Sequence, residues 1–246
     1  MRQWWGTLLF MHWPVAPKLV RPLVPPMLSV DTFEGQAWVG VVPFTMWGVR
    51  PYVGPPVPGL SSFYELNVRT YVHYEGVPGV LFLSMDIDSR LAAWAARQFF
   101  FLPYYPARMR MRRAGQTFDY DTAREAGDEE AGPAAFRARW TVGEPLAQSR
   151  PDTLDFFLTE RYCLYTAYAD QLFRLRIAHA PWPLHHAELS AHDSDVLEAL
   201  GLPAPTGAPL LHYCEALKVD IFPLRRVTAG RSHQLFEPAN ASEIFG

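Results

Sequence analysis

From residue 63 to 72 the chain reads Phe-Tyr-Glu-Leu-Asn-Val-Arg-Thr-Tyr-Val, with polar side chains at alternate positions. In an extended strand successive side chains leave opposite faces, so Glu65, Asn67 and Arg69 share one face while Tyr64, Leu66, Val68 and Thr70 share the other. An acid, an amide and a guanidinium on one face of an otherwise apolar segment need partners if that face turns inward. Apolar runs at residues 4–13 and 37–46, rich in Val and aromatic side chains, also read as strands. Residues 15–23 read as a short helix, with Pro14 and Pro17 at its start and Pro25-Pro26 stopping it. Residues 50–59, with four prolines and two glycines, are expected as a loop.

The polar-faced segment, over residues 63–74, pairs through a turn at 75–79 with a strand over 80–87, giving a hairpin. Asp88-Ser89 then caps a helix over 90–101. Only Arg90, Arg97 and Gln98 break its apolar surface, which predicts an enclosed helix. Strands over 109–113, 117–123 and 135–142 form a meander, the last two joined by an exposed acidic loop over 124–133. A short helix from 151 to 160 precedes strands over 161–167, 172–180, 184–190 and 213–222. The pattern implies a mainly β chain with some α (α+β), folded as one closed or nearly closed mixed β-barrel around one enclosed helix and a few short ones. Closure of that kind removes exposed strand edges. Residues 1–227 form the single domain and 228–246 a C-terminal tail.

Composition narrows the function more than the fold. With 49% hydrophobic and 14% aromatic residues there is ample material for a large core. A net charge of −3, with arginines scattered among acids, argues against a nucleic-acid partner. Lys18 and Lys218 are the only side-chain amines. Cys163 and Cys214 are too few for a disulfide framework and fit a reducing cytoplasm. No apolar stretch is long enough to predict a membrane span, and no cleavable leader is read at the start. An aromatic-rich surface is compatible with a homo-oligomer.

Two readings of the polar face are open: a structural ion pair between Glu65 and Arg69 in a filled core, or the wall of a pocket. In a pocket, Arg69 would hold a carboxylate or enolate and Glu65 would act as acid or base. Arg97, on a helix with little solvent face, needs an anion: Glu65, Asp86, Asp88 or a ligand. The late histidines, His179, His185, His186, His192 and His212, lack metal-ligand spacing, so no metal or cofactor is expected. Nucleophile-elbow, phosphate-loop and dinucleotide-binding signatures are missing.

Several longer segments carry a resemblance. Leu8 to Pro14, Leu23-Val24-Pro25-Pro26, Trp38 to Phe44, Glu65 to Val72, Arg161 to Tyr165 and His179 to Leu184 look like the YqjF-like bacterial family. That family is similar in turn to acetoacetate decarboxylase, which implies a mixed barrel with an interior site. The decarboxylase uses a glutamate, which falls near Glu65, an arginine in its first strand, which falls near His12, and a Pro-Lys-Lys turn. Here that turn is Pro103-Tyr104-Tyr105. Tyrosine cannot form an imine, so the resemblance implies the pocket without Schiff-base decarboxylation. The expected site is Glu65 and Tyr104 as acid/base groups, with His12, Asn67, Arg69, Arg97 and Tyr105 binding a small carboxylate or carbonyl compound. A non-catalytic binder or sensor using the same pocket is the rival, and a structural protein with no cavity is the third reading.

Overall fold

The computed structural model describes residues 1–52, 61–124 and 132–228. The expected tail from 229 and most of the expected loops over 50–59 and 124–133 lie outside the described residues. The elements in chain order are β1 (Arg2–Val15), α1 (Pro17–Val20), β2 (Ser29–Val30), β3 (Ala37–Arg50), β4 (Ser62–Tyr74), β5 (Val77–Ile87) and α2 (Arg90–Phe100). There follow β6 (Tyr104–Ala114), β7 (Thr117–Arg124), β8 (Ala134–Pro145), α3 (Leu154–Thr159), β9 (Cys163–Tyr168), β10 (Gln171–Ala178), β11 (His185–Ser194), β12 (Leu210–Ile221) and β13 (Arg225–Arg226).

Two strands divide the sheet. One edge of β5 carries β4; on the other, Val80 and Leu81 pair with β9 while Met85 to Ile87 pair with β6, both in parallel. β12 divides likewise: Tyr213 pairs with His185 of β11, whereas Asp220 and Ile221 pair with Ala178 and Ile177 of β10. Two closed rings of hydrogen-bonded strands result, sharing the wall β12-β1-β3-β4-β5. β6, β7, β8 and β11 complete the larger ring; β9 and β10 complete the smaller. Gly79 stands where β5 meets β9. A Cβ there would lie 2.7 Å from the Tyr165 ring and 2.8 Å from the Cys163 carbonyl, so the approach needs glycine.

Because the shared wall has a ring on either side, both of its faces are buried. Leu9, Met11 and Trp13 of β1 enter the core of the larger ring with Phe118, Tyr120, Phe136 and Trp140. Leu8 and Phe10 leave the other face and join Val42, Phe44 and Trp182. Burial on both faces is why the first strands read as unbroken apolar runs rather than alternating ones.

Three expectations are corrected. α2 is not enclosed: it buries Ala92 and Ala93 and leaves Leu91, Trp94 and Phe99 exposed. Its apolar surface is shared between the protein and solvent, with the alanine side turned to the smaller ring and the large side chains turned out. The turn before β5 is confined to Glu75 and Gly76, at φ 48° and 77°, so Pro78 lies inside the strand opposite His73. Arg124, expected to open an exposed loop, ends β7 as a buried residue, because Asp86 and Ser84 lie within reach of its guanidinium.

Candidate functional site

The smaller ring encloses a cavity of about 240 Å³. Glu65, Asn67 and Arg69 all line it from β4, while Leu66 and Val68 point into the larger core. Strand alternation therefore places the three polar groups together, as the sequence pattern implies. The rest of the wall is largely apolar, including Phe44, Phe82, Met85 and Leu175, and α2 roofs it with Ala92, Ala95 and Ala96. Gly40 of β3 makes room for two side chains: a Cβ there would meet the His12 imidazole at 2.9 Å and Cγ of Arg69 at 3.3 Å.

Glu65 is 1% exposed, and its Oε2 accepts a 2.8 Å hydrogen bond from the Tyr104 hydroxyl. Burial raises its pKa to about 7, against the opposing effects of Tyr104, the Asn67 amide and Arg69. Burial and the carboxylate hold the Tyr104 phenol well above its usual range. The Tyr120 hydroxyl donates to the Glu65 main-chain carbonyl at 2.9 Å and so pins the strand at this point.

Arg69 has no such partner among the described residues. Its guanidinium lies over the Phe10 ring, 5.0 Å from the centroid, and Nε is shut in without an acceptor. No ion pair joins Arg69 to Glu65 or to any other acid among the described residues. Burial lowers its pKa, with Tyr71 and Glu65 acting in the opposite sense. Asn67 is 3% exposed, and its Oδ1 likewise has no partner among the described residues.

Three of the expected ligand contacts lie elsewhere. His12 is fully buried behind the wall rather than on it. Tyr71 spends its one hydroxyl proton on the Leu158 carbonyl at 2.8 Å, so His12 Nε2, 2.7 Å from the same oxygen, is the donor there. Desolvation and the Arg69 charge hold that imidazole well below its usual pKa, and it stays neutral. Tyr105 follows Tyr104 along β6 and so faces the other way, toward a second cleft that Arg97 also lines. Its ring sits between the guanidinium groups of Arg97, at 5.0 Å, and Arg124, at 4.6 Å. Asp86, one of the anions expected for Arg97, pairs with Arg124 at 2.8 Å instead.

Other wall residues carry no periodic signal in the sequence. Arg161 lines the cavity from just before β9, where Asp31 at 2.6 Å and the Phe157 carbonyl hold its guanidinium. Gln3, His179 and Trp182 also line the wall. These residues come from segments distant in sequence, and only the closing of the smaller ring brings them together.

Comparison with known proteins agrees with this architecture. The model of the DUF2071 family, described as an uncharacterized conserved protein, matches residues 2–218. The chain belongs to this family. It is 43% identical over 226 residues to the uncharacterized protein YqjF of Bacillus subtilis, with 92% of each chain covered. Among solved structures, an acetoacetate decarboxylase-like enzyme from Sphingomonas wittichii superposes with a TM-score of 0.63 at 12% identity, covering 92% of each chain. The enduracididine biosynthesis enzyme MppR, complexed with pyruvate, gives 0.62 at 14% identity, over 92% of this chain and 90% of that one. Acetoacetate decarboxylase from Legionella pneumophila gives 0.57 at 15%, over 92% and 87%. These likenesses are of fold, and the fold is the acetoacetate decarboxylase-like one that the residue pattern resembles. No helix among the described residues is long and apolar enough to cross a membrane.

Proposed function

We propose that the cavity of the smaller ring binds a small organic acid, with Arg69 taking the anion and Glu65 with Tyr104 serving as a non-covalent acid/base pair. The observation that carries this reading is a guanidinium, on the wall of a largely apolar cavity, that pairs with no acid among the described residues. A buried cation without a counter-ion is costly, and an anionic ligand supplies the missing partner. A carboxyl group with a pKa near 7 exchanges protons readily at neutral pH, which suits hydration, dehydration or isomerisation of such an acid. Schiff-base chemistry on a lysine is not part of this reading, because Tyr104 and Tyr105 match the turn where the decarboxylase has lysines and neither Lys18 nor Lys218 lines the cavity. That a structure of this fold is complexed with pyruvate, a small keto acid, supports the ligand class.

The test starts with native mass spectrometry of freshly purified protein and proceeds to a panel of small keto, hydroxy and unsaturated acids. Wild type is expected to bind, and to turn over, at least one of them. Glu65→Gln and Tyr104→Phe should keep the fold and cut turnover by a factor of about 10² or more. Folded variants that turn over every responsive acid as fast as wild type would leave a binder or sensor. That second reading uses the same Arg69 contact and predicts a bound acid recovered unchanged.

A further inference from the structure

The cavity has polar groups at a second place, away from Glu65 and Arg69. Gln3 lines the wall from β1 and is 4% exposed, yet its carboxamide bonds to no described residue. His179 lines the same cavity just beyond β10. Register puts the two beside the same stretch of β12, on the segments that flank it: Gln3 pairs with Val219, and Ala178, next to His179, pairs with the adjacent Asp220 on the opposite edge of that strand. Arg69 belongs to another row, since it pairs with Gly40, which pairs with His12, and His12 is far along β1 from Gln3.

The His179 imidazole is held in a defined state. Its Nδ1 lies 2.8 Å from the Ala180 carbonyl oxygen, which can only accept, so Nδ1 carries the hydrogen and Nε2 presents a lone pair. The ring stacks on Tyr162 at 4.7 Å and meets the edge of Trp182 at 5.1 Å. Both neighbours are tied down by buried Glu160, which accepts from the Tyr162 hydroxyl and, at 3.1 Å, from the Trp182 amide. Groups held this firmly by their own neighbours are positioned before a ligand arrives. Burial also lowers the imidazole pKa, which favours the lone-pair form.

We infer that Gln3 and His179 form a second polar subsite of the cavity, which takes a hydroxyl at the end of the ligand remote from its anion. A hydroxyl matches the pair because it donates to Nε2 of His179 while accepting from the Gln3 amide. The span is bounded by a run of contacts, each 5.0 or 5.1 Å, from His179 through Trp182 and Phe10 to Arg69. The ligand class is therefore a hydroxy acid with an apolar stretch between its two polar ends. This rests on the anion-binding reading above.

The experiment is a calorimetric titration of the purified protein with straight-chain acids of about four to ten carbons, a range fitted to a small-molecule cavity. Each is taken with and without a terminal hydroxyl. Wild type should bind at least one hydroxy acid about tenfold or more tighter than its methyl-ended counterpart, since an unmatched polar pair stays unsatisfied beside a methyl group. The ratio should fall to near one in His179→Phe, which keeps a ring against Tyr162, and return in part in His179→Gln. Gln3→Met should weaken the hydroxy acid alone. A wild type with no hydroxyl preference at any length overturns the subsite while leaving the anion site standing. So does an unchanged preference in folded His179→Phe. If no acid binds, or if Arg69→Met binds them as well as wild type, the anion reading fails and the subsite with it.

Discussion

At Glu65 the cost of burying a charge exceeds what three polar neighbours return, and the net result is a carboxyl that titrates near neutrality. Its folded pKa, about 7, lies above the ordinary value of 4.5, so between those limits the folded chain holds a proton that the unfolded chain has lost. Stability from this group is thus fully present below about pH 4.5 and declines as pH rises through 7, by about 3 kcal/mol in all. Urea unfolding of wild type and Glu65→Gln at pH 5 and pH 8 checks this: the variant should gain relative to wild type at the higher pH. Ionised Glu65 also offsets the Arg69 charge, so acids should bind more weakly above pH 7 than below it. Arg69→Met is expected to keep the fold, because the methionine still covers Phe10. Its affinity for acids should fall by about 10² or more, the loss typical of a removed buried charge contact.

Among the elements, β4 was the most legible. Strict alternation of polar and apolar side chains fixes which residues share a face, and Glu65, Asn67 and Arg69 do line one cavity. The same rule, applied to the next tyrosines, separates Tyr104 from Tyr105, and only Tyr104 reaches Glu65. α2 departs from the expected enclosed helix because composition cannot tell a helix surrounded by protein from one that roofs a cavity with alanines and leaves Leu91, Trp94 and Phe99 exposed. At the end of β7, Arg124→Met would strand Asp86 without its partner, and thermal unfolding should show a loss of about 3 to 5 kcal/mol. At Gly40 of β3, alanine would push His12 and Arg69 apart. The expected result is a folded protein with acid binding at least tenfold weaker, measured by the same titration.

For the molecule as a whole, the shared wall is the organising feature, since five strands serve both rings. Neither ring closes without it, so the described parts should unfold together. Denaturant curves followed by far-ultraviolet circular dichroism and by tryptophan fluorescence are expected to coincide, and two separated transitions would show that the rings are independent. The strands, the hairpin of β4 and β5 and the polar face were decided by the sequence alone, because side-chain alternation and turn chemistry act over a few residues. The division of β5 and β12 between two sets of partners was decided only by the tertiary structure, because strand pairing joins segments far apart in the chain. That division creates the cavity, leaves Arg69 without a paired acid among the described residues, sets His12 behind the wall and places Gln3 and His179 on the lining of the same cavity. No local pattern encodes such outcomes, since they depend on which edges meet.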